Sequence, residues 1–473
     1  MNVRRILLVP LLSTWMAFGR VCALEPTPNI ILLLADDQDW PGLSCSMHPE
    51  VSNSKSDYHR TPNIDGLAAQ GMRFSSYYAP APVCSPTRAS IQTGQNPARL
   101  RWTKAAPPEM GHRLIEGESR KNLSEGEVTI AEVLRMRGYA TAHYGKWHLG
   151  GGGPSRHGYD ESDGDTGNRD ADKFVDPNPV DIFGMGERAA RFMERQVKAG
   201  RPFYLQMSYH ALHRADHALK TTRALFDGLK AGRIHWDPAQ AAITADLDTG
   251  VGRLLGDVER LGLAKTSFVI YTSDNGGGGR SEARPLNAGK GGLWEGGIRV
   301  PMIVRGPGVE PGAWSHVPAV GYDFFPTFCR LAGVSDELPK NLDGGDFSSV
   351  LFGKSQSIQR KEEGIVFHFP HYQGDAPHSA VRFGDYKLIH FYEGQRSVLF
   401  DLSRDLGERK DIAGSSPELA TRLSTLLSNR LVAMSASMPR VNPDFDPSKE
   451  PAKRGGGKGG MGKGGNSQKG VQK

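Results

Sequence analysis

The run NIILLLA at Asn29–Ala35 is apolar without a break and stops at once at the acidic pair Asp36 and Asp37. Seven residues with no polar alternation leave no wet face, so the run predicts a strand buried on both sides of a sheet. Further along, the apolar period becomes helical in TIAEVLRMRG (129–138), IFGMGERAARFMERQVKAG (182–200) and AQAAITADLDTGVGRLLGDVERLG (239–262). Each of these gives way to a strand-like run, and those runs end at Tyr144, Tyr209 and Ser273. Alternation of this kind predicts an α/β sandwich with a large, mostly parallel central sheet flanked by helices, over residues 24–355. Beyond Gly353 the pattern changes, with a hairpin over 386–402 and an amphipathic helix over 416–434. Together these predict a smaller C-terminal α+β subdomain with an antiparallel sheet, over 356–440.

The two ends of the chain read differently. Residues 1–23 carry Arg4 and Arg5, an apolar stretch from Ile6 to Phe18, and small residues before Leu24, the make-up of a signal peptide. The expected location is therefore outside the cytoplasm: periplasmic or secreted, or lysosomal in a eukaryotic cell. From 441 to 473 the chain turns rich in Gly and Lys, cannot bury a core, and is expected to be disordered. The net charge of +6 is carried by these ends, because the leader and the segment after Pro451 contain cations and no acids. The body between them is mildly acidic, which excludes a broad basic face for nucleic acid. No segment is long and apolar enough to be transmembrane. Three cysteines follow the leader, and a Cys45–Cys329 bridge would leave Cys84 unpaired.

The residues just beyond each strand carry the candidate chemistry. After the first come Asp36 and Asp37, after the second Lys146 and His148 in GKWHLG, after the third His210 and His213, and after the fourth Asp274 and Asn275. Ligands of open α/β sheets bind beyond the carboxyl ends of the strands, so these side chains are expected at one edge. Asp36, Asp37, Asp274 and Asn275 offer oxygen only, and no Cys or His falls at zinc spacing, which points to calcium or magnesium. In PVCSPTRASIQTG (82–94), Pro86 suits the first position of a helix with Ser85 as its cap, and Cys84 then sits just ahead of it. Free N–H groups there, with Arg88 one turn on, favour an anionic tetrahedral group over residue 84. On these residues alone Cys84 is a thiolate nucleophile or the precursor of something more reactive.

CSPTRASIQTG resembles the signature of the formylglycine-dependent (type I) sulfatases of the alkaline-phosphatase-like superfamily: Cys-x-Pro-x-Arg followed by Thr-Gly. PNIILLLADDQ, GYATAHYGKWHLG, YTSDNG, GKGGLWEGGIRVP and LFDLSRDLGERKDIA resemble further stretches of that family. The resemblance implies hydrolysis of a sulfate ester, one Ca2+, and Cys84 converted to formylglycine (3-oxoalanine) by a formylglycine-generating or equivalent maturation enzyme. Asp36, Asp37, Asp274, Asn275 and residue 84 match the family's metal ligands. Arg88 and Lys146 match the groups that hold the formylglycine hydrate, and Lys146 and Lys290 those that grip sulfate oxygens. Asp274 would take the proton of the attacking hydroxyl, His148 that of the second hydroxyl, and His213 would protonate the leaving group. A hydrated aldehyde carries two hydroxyls, so one attacks sulfur and the other collapses the hemiacetal to expel sulfate.

Two positions depart from the family pattern. Ala211-Leu212-His213 stands where Ala-Pro-His is usual, with His210 and His217 close by, and Asp39 stands where glycine is common and reads as an extra acceptor behind the site or, the favoured reading, as an exposed loop residue. The alternatives are a phosphonate or phosphodiester hydrolase of the same superfamily and a non-catalytic sulfoglycan-binding protein with an unmodified thiol. Loops 157–168, with Asp165 and Asn168, and 367–375, with His371, are rich in His, Asp and Asn. They read either as substrate-binding or as self-capping loops. With no apolar pocket motif, the expected substrate is a sulfated carbohydrate.

Overall fold

Asn29–Ala35 (β1) is buried along its whole length. Its side chains alternate between two cores: Ile30, Leu32 and Leu34 enter one, and Ile31, Leu33 and Ala35 the other. In the computed structural model, which describes residues 27–277, 284–334 and 338–451, this strand lies inside an eight-stranded sheet. On one side β1 pairs in parallel with Phe203–Ser208 (β3), which pairs in parallel with Ala140–Gly145 (β2). On the other it pairs in parallel with Ser267–Ser273 (β4). Met302–Arg305, beyond β4, is antiparallel to it and gives the otherwise parallel sheet one reversed strand.

The register brings the carboxyl ends level. Ala35 lies opposite Ser273, Leu34 opposite Ser208, and Gly145 opposite Ser208. The residues that come after all four strands therefore emerge at one edge. Helices cover both faces. Cys84–Thr93 (α1) and Ile130–Met136 (α2) pack on the Ile30 side. Ile182–Ala199 (α3) and Pro238–Arg260 (α4) pack on the Ile31 side. At the start of α2, Thr129 and Glu132 cap one another's backbone N–H groups, which fixes where that helix begins.

The C-terminal part is a four-stranded antiparallel sheet, Ile365–Phe369, His378–Phe383, Tyr386–Phe391 and Arg396–Asp401, in chain order. Val366, Val381, Leu388 and Leu399 pack on Leu423, Leu427 and Leu431 of Pro417–Ala433 (α5). The opposite face, with Phe367, Ala380 and Ile389, packs on Tyr78, Val83 and Leu293 of the main body. The predicted hairpin and closing helix are both present.

Two expectations are corrected and one open question is closed. Helix α1 starts at Cys84 with Val83 as its N-cap, so Ser85 is not the cap and Pro86 is the third residue. The N–H groups of a first turn have no intrahelical partner, so proline fits there as well as at the first position. Cys45 and Cys329 are free thiols on opposite faces of the central sheet, which rules out their disulfide. Residues 441–451 are ordered against the body: Val441 pairs with Leu114, and the Asn442 N–H donates to the Arg113 carbonyl at 3.0 Å. The leader and residues 452–473 lie outside the described residues. No helix among the described residues is long and apolar enough to cross a membrane.

Candidate active site

Cys84 opens α1 directly beneath the level strand ends, and Asp36, Asp37 and Asp274 surround it. One ligand atom from each of these four residues lies within 4.8 Å of the others. Among the described residues this is the one group of His, Cys, Asp and Glu close enough to share an ion. Asn275 joins them: its amide nitrogen donates to Asp37 at 2.7 Å, while its Oδ1 is buried with no hydrogen-bond partner. An unpaired buried carbonyl oxygen beside three carboxylates suits a hard cation, and the donor set offers nothing softer than the Cys84 sulfur.

Three cations balance the three acids. Arg88 is buried, donates from Nε and Nη2 to Asp274 at 2.9 and 2.7 Å, and donates from Nη1 to the Lys146 carbonyl at 2.7 Å. Lys146, fully buried, pairs with Asp36. Lys290 pairs with Asp37 at 2.5 Å and reaches the Cys84 sulfur at 3.5 Å. A divalent ion added to this balanced set would leave the site positive, as an anionic substrate requires.

Burial sets the proton affinities. It pushes the Cys84 thiol up to about 12 despite Lys146 and Lys290. A plain thiolate is therefore disfavoured at neutral pH. Burial also works against ionised Asp36, but Lys146 and Arg88 outweigh it and hold that carboxyl well below its ordinary value. Asp274 is pushed up to about 6 by burial and by Asp36. Burial, then Lys146 and Arg88, takes His148 down to about 3, so its imidazole is neutral. Its Nδ1 has no partner, nor have those of His210 and His213. Asp37 and His148 both hold the left-handed backbone region, at φ 63° and 59°. Non-glycine residues carry strain there, and such strain gathers at functional sites.

A cavity of about 460 Å³ opens from Ser85 and His148 and is lined by Trp102, Lys121, Asp165 and Asp170 among others. A second, of about 360 Å³, reaches His210. The structure thus brings Cys84, Arg88, Lys146, Lys290 and the four oxygen donors together, with His148 beside the first cavity. His213 is half-buried in the loop after β3, and its backbone N–H donates to the His210 carbonyl at 3.1 Å. Asn168 is exposed and lines neither cavity. His371 lines the first cavity, but its ring nitrogens are held at 2.7 Å by Thr103 and at 2.9 Å by Glu116, so it is a fixed wall with no ring nitrogen left for substrate.

Asp39 is not an exposed loop residue. It is buried and accepts from His235 at 3.0 Å and pairs with Arg284 at 3.1 Å. Sequence reasoning also missed Glu116, which takes both Lys104 and His371, and Thr166, which ties the 165–170 loop to the end of β2. No sequence motif marked Glu116, and Thr166 lay within the 157–168 loop without being singled out.

The family model for sulfatases matches residues 28–334, and one described as N-sulphoglucosamine sulphohydrolase, C-terminal, matches residues 289–437. Arylsulfatase A of Homo sapiens is 30% identical over 486 residues, covering 88% of this chain and 90% of its own. A sulfatase of Formosa agariphila is 30% identical over 492 residues, covering 86% and 88%. The crystal structure of Ps i-CgsB in complex with k-i-k-neocarrahexaose superposes with a TM-score of 0.70 at 25% identity, covering 86% of this chain and 93% of that one.

Proposed function

The chain belongs to the sulfatase family and is a sulfuric ester hydrolase, and from that premise we propose that it frees sulfate from a sulfated carbohydrate, with residue 84 as formylglycine above one calcium ion. The observation that carries this reading is the cluster of Cys84, Asp36, Asp37 and Asp274 within 4.8 Å, charge-balanced by Arg88, Lys146 and Lys290. Asp36, Asp37, Asp274 and the unpaired Oδ1 of Asn275 would hold the calcium, which would supply a fixed positive charge for the ester's oxygens. Formylglycine would give residue 84 a hydrated aldehyde in place of a thiol that burial keeps protonated.

The roles of the surrounding side chains follow from the family resemblance, and their placement around residue 84 supports them. Lys146 and Lys290 bind sulfate oxygens and offset the charge that gathers there in the transition state. Arg88 holds Asp274 in place with two hydrogen bonds, and Asp274 takes the proton of the attacking oxygen on residue 84. His148, neutral, accepts the second proton on that residue. His213 gives a proton to the departing sugar oxygen, and an anionic ester brought against it raises its hold on that proton.

Support for a sugar comes from two directions. Ser85, Lys121, Asp165 and Asp170 give the first cavity a polar lining, which suits hydroxyls better than a steroid face. Ps i-CgsB carries a neocarrahexaose, and the C-terminal family model is described by an N-sulphoglucosamine sulphohydrolase.

The test is mass spectrometry of the peptide spanning Cys84, from protein made with a maturation enzyme, alongside sulfate release from a panel of sugar sulfates. The expected peptide carries formylglycine, and Cys84→Ala is inactive with an unchanged melting temperature. Fully active protein with only the free thiol would overturn the reading. Paired aryl sulfate and aryl phosphonate substrates separate it from the phosphonate alternative, with the sulfate expected to be the faster.

A further inference from the structure

The two cavities share a wall. Asp165, Thr166 and Asp170 line both. At its inner end the first cavity meets Ser85 and His148, and the second meets Gly145, just before Lys146, and His210. His210 lies close enough to the centre to feel Lys146, Asp36 and Arg88. Both therefore end beside the rim of the Cys84 cluster, the first at Ser85 and His148 and the second at Gly145 and His210.

The wall between them is rigid. Thr166 Oγ1 donates to the Gly145 carbonyl at 2.5 Å and accepts from the Trp147 N–H at 2.9 Å. The His148 N–H donates to the Thr166 carbonyl at 2.7 Å, and the Gly167 N–H to Asp170 at 2.6 Å. The loop is locked to the segment that carries Lys146 and His148. Asp165, by contrast, is exposed, and its carboxylate makes no hydrogen bond or ion pair with the described residues. Each cavity also has one aromatic wall, Trp102 in the first and Phe174 in the second. An aromatic surface beside carboxylate acceptors matches a pyranose ring, which has apolar C–H faces and a rim of hydroxyls. At about 460 and 360 Å³, each cavity alone falls in the range of roughly 300–1,000 Å³ typical of small-molecule sites. One sulfated sugar unit needs only one of them.

We propose that the substrate is an oligosaccharide that uses both cavities, the sulfated unit in the first, a neighbouring unit in the second, and Asp165 accepting hydroxyls from both. This deepens the carbohydrate reading and rests on it. Contacts to the second unit, remote from sulfur, contribute binding energy that speeds turnover of long chains only.

The experiment measures kcat/KM on κ-carrageenan and chondroitin 6-sulfate oligosaccharides of two, four and six units, on galactose 4-sulfate and N-acetylgalactosamine 6-sulfate, and on 4-nitrophenyl sulfate. Wild type is expected to prefer the oligosaccharides of the series it accepts by ~10-fold or more over the matching monosaccharide. Lys173→Ala alters an exposed side chain that lines the second cavity alone. It should erase most of that preference and leave the monosaccharide and the aryl sulfate unchanged. Equal rates on short and long substrates, or a Lys173→Ala loss shared by all of them, overturns the inference while the carbohydrate reading stands. Turnover of 4-nitrophenyl sulfate with no sugar sulfate accepted overturns the carbohydrate reading, and this inference with it.

Discussion

A sugar alkoxide leaves badly, so a proton must reach it in the transition state, an effect usually worth about 10²–10⁴-fold. Two histidines after β3 compete for that role. His210 is buried and pushed down to about 3 by burial and Lys146, so at neutral pH it holds no proton to give a leaving group. His213 is half-buried, and burial lowers it too, but Asp36 and Asp37 pull the other way and help it keep a proton. A nitrophenolate departs as the anion and has little need of an acid. His213→Ala should therefore cut turnover of a sugar sulfate by ~10²-fold or more while sparing most of the rate on 4-nitrophenyl sulfate. His210→Ala should not separate the two substrates. Steady-state rates on both, for both variants, settle the matter, and a split that appears at His210 instead moves the acid there.

Where the C-terminal sheet meets the main body, Lys387 on the Tyr386–Phe391 strand pairs with Glu295 at 2.8 Å and Glu408 at 2.9 Å, all three side chains fully buried. Glu295 also takes Arg299 at 2.6 Å, whereas Glu408 shares Lys387 with that second carboxylate. Burial, helped by nearby Glu295, pushes Glu408 up to about 7, while Lys387 and Arg299 overcome burial and hold Glu295 at about 2. Between its ordinary value near 4.5 and about 7, the folded state keeps a Glu408 proton that the unfolded chain gives up. Stability from this group is thus full below about 4.5 and lost as pH rises through 7. Glu295 acts oppositely, and its contribution is lost only as pH falls from about 4.5 towards 2. Wild type should lose roughly 2 kcal/mol or less from Glu408 between pH 5 and 7.5, at about 1.4 kcal/mol per pKa unit. Melting curves should show Glu408→Gln with a flatter profile over that window, and parallel profiles would exclude the pair as the source. None of this junction was legible in the sequence, because its partners lie far apart along the chain. The strands and helices were legible, since an apolar run cut off by Asp36 or Asp274 marks a strand end without any long-range information. Asp39 failed for the opposite reason: its partner His235 lies 196 residues away, and only the fold brings it near. The start of α1 failed because Pro86 fits more than one position of a first turn.

The proposed calcium site joins distant parts of the molecule. Asp36 and Asp37 follow β1, Asp274 and Asn275 follow β4, and the two strands lie side by side. An ion held there ties those ends together and is linked to the stability of the whole fold. Its removal should not unfold the protein, because Arg88, Lys146 and Lys290 already neutralise the three carboxylates. Chelation by EGTA should therefore abolish turnover but only lower the melting temperature. Calcium added back at 100 times its dissociation constant restores about 2.7 kcal/mol. Asp274→Ala is a poor probe, because it strands the buried Arg88 and costs roughly 3–5 kcal/mol whatever the metal does. Asn275→Ala is a better one: it removes the unpaired Oδ1 together with the amide hydrogen bonds to Asp37 and the Gly276 carbonyl, but it strands no buried charge, since Asp37 keeps Lys290. That variant should fold and should need ~10-fold more calcium than wild type for the same melting temperature and the same rate. A melting temperature indifferent to calcium, or active enzyme holding stoichiometric zinc without calcium or magnesium, removes the ion from this site. In that case the three cations alone would have to hold the sulfate, against carboxylates that already claim every one of them.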